Sequence, residues 1–277
     1  MNQPFRTMTQ SIHAHSVFDD GKATPEEMVR AAADAGLETF GVSLHSPIPG
    51  EVWTCKAERV EEFKAEMARL KEVYASRLEV LCGVEYDLLS DRAYLQGFDY
   101  VIASVHGMHT DRGVWSMDDT RARSRRMILL GFDGDADACA EAYFRRVQTI
   151  AELPEADIVG HFDLLTKFDE PEPLFDASSP RYRHAALTAM EALVRAGKIF
   201  ELNTGAVSRG YRTEFYPSNA LLRELCAMGG RLTITADSHA ADTVTFGYAE
   251  AERAAKAAGF RELWQLRNDR FEPTELL

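Results

Sequence analysis

Cysteine is scarce and scattered: the four, Cys55, Cys82, Cys139 and Cys226, show no CxxC spacing. That excludes a disulfide framework and a thiolate zinc knuckle, and leaves reduced, mostly packed thiols. Positive charge is also in short supply. Against 44 acidic residues stand 31 Lys and Arg, for a net charge of −13. A chain that coats nucleic acid or lies on an anionic membrane needs clustered cations to neutralise phosphate, so neither partner is expected. No apolar window approaches the roughly 18 residues of a membrane span, and MNQPFRTMTQ has no apolar stretch behind a basic one. Low-complexity tracts are lacking too. A cytoplasmic protein is the expectation. With 277 residues and 45% hydrophobic content the chain can bury a full core, and a single domain spanning 1–277 is expected.

What the sequence does have is histidine in one particular register. Six of the eight histidines sit at or just beyond the ends of β-type runs: TMTQSIHAH to His13 and His15, TFGVSLH to His45, YVIASVH to His106, DIVGH to His161 and RLTITADSH to His239. LEVLCGVE ends likewise on Glu85, and the last histidine run carries Asp237. Each run is rich in β-branched and apolar residues and stops at a side chain that can ligate a divalent cation. A lone histidine at a strand end is more often a buried polar group bonded to a carbonyl. Six in the same register point to a metal site at the mouth of a parallel barrel, where strand C-termini converge. Imidazole mixed with carboxylate suits Zn, Mn or Fe better than Ca. His109, in a polar stretch, and His184, in a helix-like segment, are expected to be surface or supporting groups.

The runs alternate with amphipathic segments. In ATPEEMVRAAADAGL, Thr24 can cap, Pro25 fits the first helical position, Glu27 closes a capping box and Gly36 stops the helix. A second helix is expected over Ala57 to Ser76, with Val60, Phe63, Met67, Leu70 and Val73 on one face. Further helices are expected over Ala138 to Leu153, Tyr182 to Ala196, Ser218 to Met228 and Tyr248 to Ala258. Lys198 to Asn203 supplies a seventh strand, and Phe260 to Leu266 is a candidate eighth that leaves barrel closure open. Such alternation implies right-handed crossovers and a parallel sheet. The long connection from Gly107 to Asp137 reads as a lid or substrate loop. Its basic run RARSRR, 121 to 126, is either a phosphate contact or a solvated charge run.

Taken in order, HAHSVFDDG, SLHSP, GVEYD, FDYVIASVHGM, GHFDL, ELNTGAVSRG and ITADSHA resemble the polymerase and histidinol phosphatase (PHP) superfamily, along nearly the whole chain. Within it the nearest likeness is to histidinol-phosphate phosphatases. The resemblance implies a distorted (β/α)7 TIM-like barrel with a trinuclear centre of divalent metals at the strand C-terminal face. It also implies a division of ligands. His13, His15, Glu85 and Asp237 resemble the ligands of one metal, and Glu85 bridges to a second held also by His106 and His161. The third would take His45, His239 and a loop carboxylate, with Asp20 the better match beside Gly21 and Asp19 the alternative. Two positions depart from the usual pattern: Ser11 stands two residues ahead of His13, where relatives often carry an acid, and Ser43-Leu44 precedes His45. Neither departure removes a ligand.

The residues support the chemistry independently. Phosphate monoester hydrolysis is very slow uncatalysed, and its transition state spreads negative charge over phosphoryl oxygens. Clustered divalent cations supply a bridging hydroxide near neutral pH and clamp those oxygens. Hydrolysis of a small-molecule phosphate ester is therefore expected, and the resemblance implies L-histidinol phosphate, in histidine biosynthesis, as the substrate. Glu85, Asp237 and His239 are the candidate catalytic groups. Lys167 and Arg209 are candidate phosphate contacts, with Arg212 competing for the second role. Asp87, or Asp118 and Asp119 in the long connection, could face the cationic part of such a substrate. Two alternatives remain: a related phosphoesterase acting on a sugar or nucleotide phosphate, and a metal-dependent binding protein without turnover.

Overall fold

The computed structural model describes residues 7–170 and 172–277. The expectation of no leader segment therefore falls in part on Met1 to Arg6, outside the described residues. Seven parallel strands form one sheet: β1 (Gln10–Ser11), β2 (Thr39–His45), β3 (Glu79–Asp87), β4 (Tyr100–Ser104), then, beyond a hairpin of β5 (Gly107–Thr110) and β6 (Gly113–Ser116), β7 (Ile158–Val159), β8 (Ile199–Asn203) and β9 (Arg231–Thr235). Their spatial order follows the chain, β1-β2-β3-β4-β7-β8-β9. The two edges meet where Ala14 bridges Ser238 in parallel and the His15 N–H donates to the Ser238 carbonyl at 2.8 Å. The sheet thereby curls into a nearly closed barrel, as expected for a distorted (β/α)7 fold.

Helices cover the outside: α1 (Pro25–Asp34), α2 (Val60–Tyr74), α3 (Arg121–Gly131), α4 (Ala136–Gln148), α5 (Pro180–Arg195), the single turn α6 (Gly205–Ser208), α7 (Asn219–Ala227) and α8 (Tyr248–Ala258). The Thr24–Glu27 capping box starts α1 and Gly259, at φ 108°, ends α8. In α2 the buried stripe is Val60, Phe63, Met67, Leu70 and Tyr74, while Val73, expected inside, lies at the exposed margin. The stripe drifts around the helix because 3.6 residues per turn brings position 74, not 73, under position 70. The Gly107–Asp137 connection is not a bare loop, since it holds the β5–β6 hairpin and α3. No helix among the described residues is long and apolar enough to cross a membrane.

Strand alternation sorts the side chains into three shells. On β2, β3, β4, β8 and β9, Phe40, Val42, Val84, Val101, Phe200, Leu202, Leu232 and Ile234 face outward into the cores beneath the helices. Leu81, Tyr100, Ile102, Ile158 and Ile199 fill the barrel interior near the strand starts. Above them the Tyr100 ring lies across Gly41 and Gly83, where a Cβ would come within 2.3 and 2.1 Å of its atoms. Beyond that ring the same inward positions become polar: His45, Glu85, Glu201 and, past the end of β9, Asp237. The period of two thus puts apolar residues at the bottom of the barrel and ligating residues at the top.

The candidate eighth strand needs correction. Residues Glu262–Arg267 form β10, which pairs in antiparallel fashion with β11 (Arg270–Glu275) and not with the barrel. Leu266, with Trp264 and Phe271 beside it, packs into the interior cluster and closes the bottom of the barrel. Gln10 and Gln265 fasten this hairpin: the Leu266 N–H donates to the Gln10 side chain at 2.8 Å and the Thr9 N–H to the Gln265 side chain at 3.0 Å.

Candidate metal centre

The strand ends bring together all nine side chains expected as ligands. Glu85, buried and last but two on β3, lies at the middle. Its Oε2 is 3.1 Å from His13 Nε2, 3.4 Å from His15 Nε2 and 3.1 Å from His45 Nδ1. Its Oε1 is 2.9 Å from His161 Nε2 and 3.3 Å from His106 Nε2. Asp237 Oδ1 faces the first pair, at 3.8 Å from His13 Nε2 and 3.5 Å from His15 Nε2. Asp20 Oδ1 joins the outer edge, 3.2 Å from His239 Nε2 and 3.7 Å from His45 Nε2. Three donor sets have all their atoms within 4.8 Å of one another: His15, Asp20, His45 and His239; His13, His15 and Asp237; His45, Glu85 and His106. His161 stands outside these sets and reaches the cluster through Glu85.

Hydrogen bonds on the far side of the rings decide which nitrogen faces inward. His13 Nδ1 lies 2.7 Å from Glu201, His15 Nδ1 3.0 Å from Asp19, and His106 Nδ1 3.0 Å from Asp87. A carboxylate can only accept, so each Nδ1 carries the proton and each Nε2 turns toward the cluster. This is the arrangement in which outer carboxylates orient metal-ligating imidazoles. Asp19 and Asp20 now separate. Asp19 is buried and accepts from His15, from the Ser16 N–H and from the His45 N–H, leaving Asp20 as the loop carboxylate in the cluster. The turn depends on Gly21, whose Cβ would meet the Ser16 backbone nitrogen at 2.4 Å.

The donors fit a divalent cation. His13 Nε2, His15 Nε2 and Glu85 Oε2 are buried atoms that form no hydrogen bond. Burying such groups unpaired costs roughly 1–3 kcal/mol each, more for the carboxylate, so the cluster calls for positive charge. Its titration shows the same demand. Burial pushes the Glu85 and Asp237 carboxyls up, but the His13, His45 and His106 rings hold Glu85, and Arg209 and His13 hold Asp237, well below the usual carboxylate range. Burial pushes the His15 ring down, yet Asp19 overrides it and raises the ring to about 10. His45 goes the other way, to about 4, under burial and the nearby His15. Asp237 also occupies a left-handed backbone position, φ 45°, at a cost on the order of 1 kcal/mol.

A cavity of about 240 Å³ opens over the cluster, lined among others by Asp20, His45, Glu85, His106, His161, Asp237 and His239. Both expected basic contacts reach it. Arg209 donates to the Asp237 carbonyl at 2.8 Å, pairs with its carboxylate at 3.0 Å and lies 2.8 Å from His239 Nδ1. Lys167 donates to the Asp118 carbonyl at 2.8 Å, with its ammonium over the Tyr211 ring. Arg212 is buried in a neighbouring cavity with Asp163 and Asp169, stacked on Tyr216, and does not line this one. Asp118 and Asp119 do, whereas Asp87 turns away to hold His106. The RARSRR run lies on α3, where Arg121 pairs with Glu172 and Arg123 with Asp119. His109 and His184 are exposed. The four cysteines are unpaired, and burial pushes the thiols of Cys55, Cys82 and Cys139 up to about 12. Trp53, Tyr211 and Leu164 line the cavity without having been expected, as no pattern in the sequence distinguishes them from core or surface residues.

A profile of the PHP domain matches residues 11–205, most of the chain and all but the last two candidate ligands. The chain belongs to the PHP domain family. Over 265 residues it is 27% identical to the "Probable histidinol-phosphatase" of Deinococcus radiodurans, covering 90% of this chain and 93% of that protein. The protein of the same name from Schizosaccharomyces pombe is 25% identical over 280 residues, with 92% of this chain and 89% of that protein covered. In fold, this PHP chain is similar to histidinol phosphate phosphatase from Lactococcus lactis, solved with zinc, L-histidinol and phosphate. The TM-score is 0.73 at 22% identity, and 95% of this chain and 98% of that one are covered. A divalent-metal centre at the barrel mouth accords with both the donor sets and the family.

Proposed function

We propose that the chain, acting as a single domain, hydrolyses a small phosphate monoester, with L-histidinol phosphate the first candidate. His13, His15, Asp20, His45, Glu85, His106, His161, Asp237 and His239 would hold three divalent ions, Zn, Mn or Fe. One observation carries this proposal: three buried rings present Nε2 to a shared Glu85, directly beneath a cavity rimmed by Arg209 and Lys167. That candidate substrate is supported by relatives, alike along nearly the full length, that are named for histidinol phosphate. That substrate would make the protein a cytoplasmic enzyme of histidine biosynthesis.

When bound, divalent cations would lower the pKa of water and neutralise the phosphoryl oxygens as negative charge builds on them. The chain's own groups divide the remaining work. Arg209 is held by Asp237 and keeps its guanidinium at the cavity, where it can pair with a phosphate oxygen, and Lys167, held by Asp118, lines the same cavity. Asp237 and His239 line the cavity beside Glu85, and with Arg209 fixing the far side of the His239 ring, its Nε2 faces Asp20 as a ligand atom. Trp53, whose ring stands edge-on to His45 and His106, adds an apolar wall to the cavity.

Phosphate release from a panel of phosphomonoesters, with metal content assayed on the same preparation, tests this. The expected result is two to three equivalents of Zn, Mn or Fe, loss of turnover on chelation, and a kcat/KM for histidinol phosphate well above that for a nitrophenyl ester. Turnover by metal-free protein would remove the metal proposal. Equal rates on both esters would leave a phosphoesterase of another substrate, and metal without turnover on any ester would leave a binding protein.

A further inference from the structure

Glu201 is wholly buried on β8, between the strand that leads to His161 and the strand that leads to Asp237. All of its accepting capacity is spoken for. Oε2 accepts from His13 Nδ1 at 2.7 Å and from the Thr235 hydroxyl at 2.8 Å. Oε1 accepts from the backbone N–H of His161 at 2.5 Å and from the Asn203 amide at 2.8 Å. Four donors thus converge on the two carboxylate oxygens, which only accept. The other two outer carboxylates differ. Asp87 fixes the His106 ring and otherwise bonds to the backbone of Leu89 and His106, whereas Asp19 fixes the His15 ring and also accepts from the Ser16 and His45 N–H groups. Glu201 spans a different pair: His13, which faces Asp237, and the chain at His161, which meets Glu85 at its other oxygen.

We propose that Glu201 is a positioning residue that joins two parts of the metal centre, setting the His13 ring so that Nε2 is free to ligate and, with its other oxygen, fixing the approach of His161 to Glu85. The inference rests on the metal-centre proposal above. A glutamine at this position shows what the carboxylate does. Its amide NH2 cannot face the His161 N–H and the Asn203 amide, since both are donors, so it must turn toward His13. His13 Nδ1 then becomes an acceptor and its proton moves to Nε2, the atom that should carry the lone pair. Thr235 can rotate its hydroxyl to suit either group.

The test uses the full chain loaded with zinc. In 15N-histidine-labelled wild type, the His13 ring, assigned by loss of its signals in His13→Gln, should carry its proton on Nδ1. Zinc affinity, measured by competition with a chromophoric chelator, should fall roughly 10- to 100-fold for part of the bound zinc in Glu201→Gln. The remainder, at the His45, Asp20 and His239 edge, should change by less than about threefold, the spread expected of a site whose ligands are untouched. Thr235→Val, which removes a neighbouring bond to Oε2 but leaves His13 held, should keep wild-type affinity throughout. A His13 proton on Nε2 in wild type overturns the proposal even if Glu201→Gln does not fold. So does a Glu201→Gln protein that binds zinc like wild type, or one that weakens every site alike while Thr235→Val does the same. If wild type itself binds no stoichiometric metal, it is the metal-centre proposal that fails.

Discussion

His15 shows how one residue can be tuned for a cation of either kind. Its Nδ1 is tied to Asp19, and in the metal-free protein the carboxylates around it raise the ring to about 10. A ring whose folded value lies above its unfolded value of about 6.5 stabilises the fold fully below pH 6.5 and loses that contribution as the pH rises through the folded value. Chelated protein should accordingly lose thermal stability between pH 6.5 and 10. Metal-loaded protein should lose less over the same window, because a ligating ring is already neutral. Melting scans of both forms at pH 6 and pH 9 check this, and a chelated protein more stable at pH 9 would refute it. The candidate ligands were legible because histidine is rare and its placement at run ends is not expected by chance. Their partners were not. Glu201 reads as an ordinary strand acid, and Asp87 reads as a candidate substrate contact until its bonds to His106 are seen. Asp19 and Asp20 are adjacent in sequence and separable only by the turn that sends one inward to His15 and the other to the cluster.

At the level of elements, the barrel keeps its two ends for different purposes. The top carries the metal donors and the bottom is filled by Leu81, Ile102, Ile158 and Ile199, with Leu266 of the β10–β11 hairpin pressed in from below. Leu266→Ala should therefore lower stability by about 2–5 kcal/mol, the usual cost of emptying a packed leucine site. The kcat of the protein that remains folded should stay within about twofold, since a cost confined to the core at one end of the barrel leaves the ligands unshifted. Denaturant unfolding alongside steady-state kinetics would show it, and a large fall in kcat without loss of stability would contradict this separation of roles. The alternation of strands and helices was plain from hydrophobic period and caps. The hairpin was not, because a short apolar run such as that around Leu263 to Leu266 has the same appearance whether it pairs in a parallel barrel or folds back on itself. The first strand was legible by its end alone: only Gln10 and Ser11 pair as β1, and the chain reaches His13 and His15 through a looser path stitched by the Ser43 hydroxyl to Ala14.

Across the whole molecule, an excess of negative charge surrounds a centre that would gather positive charge. The net charge is −13, and of the arginines in the RARSRR run on α3, Arg121 is paired to Glu172 and Arg123 to Asp119. A small ester with one phosphate can enter a cavity of about 240 Å³ and meet Arg209 and Lys167 at short range, where the local field dominates. A polymeric phosphate must lay further charges along the acidic surface, and that repulsion is felt at long range. The Debye length falls from about 30 Å at 0.01 M salt to about 8 Å at 0.15 M, so the penalty should be largest in dilute buffer. Any activity on a short single-stranded oligonucleotide should thus rise with salt across that range, while kcat/KM for a small phosphomonoester changes little or falls. Comparing the two substrates at 0.01 and 0.15 M salt decides the matter. A basic-groove binder behaves in the opposite way, losing affinity steeply as counterions compete for its phosphate contacts. An oligonucleotide rate that falls with salt, from a value rivalling the small ester, would shift the substrate class toward nucleic acid.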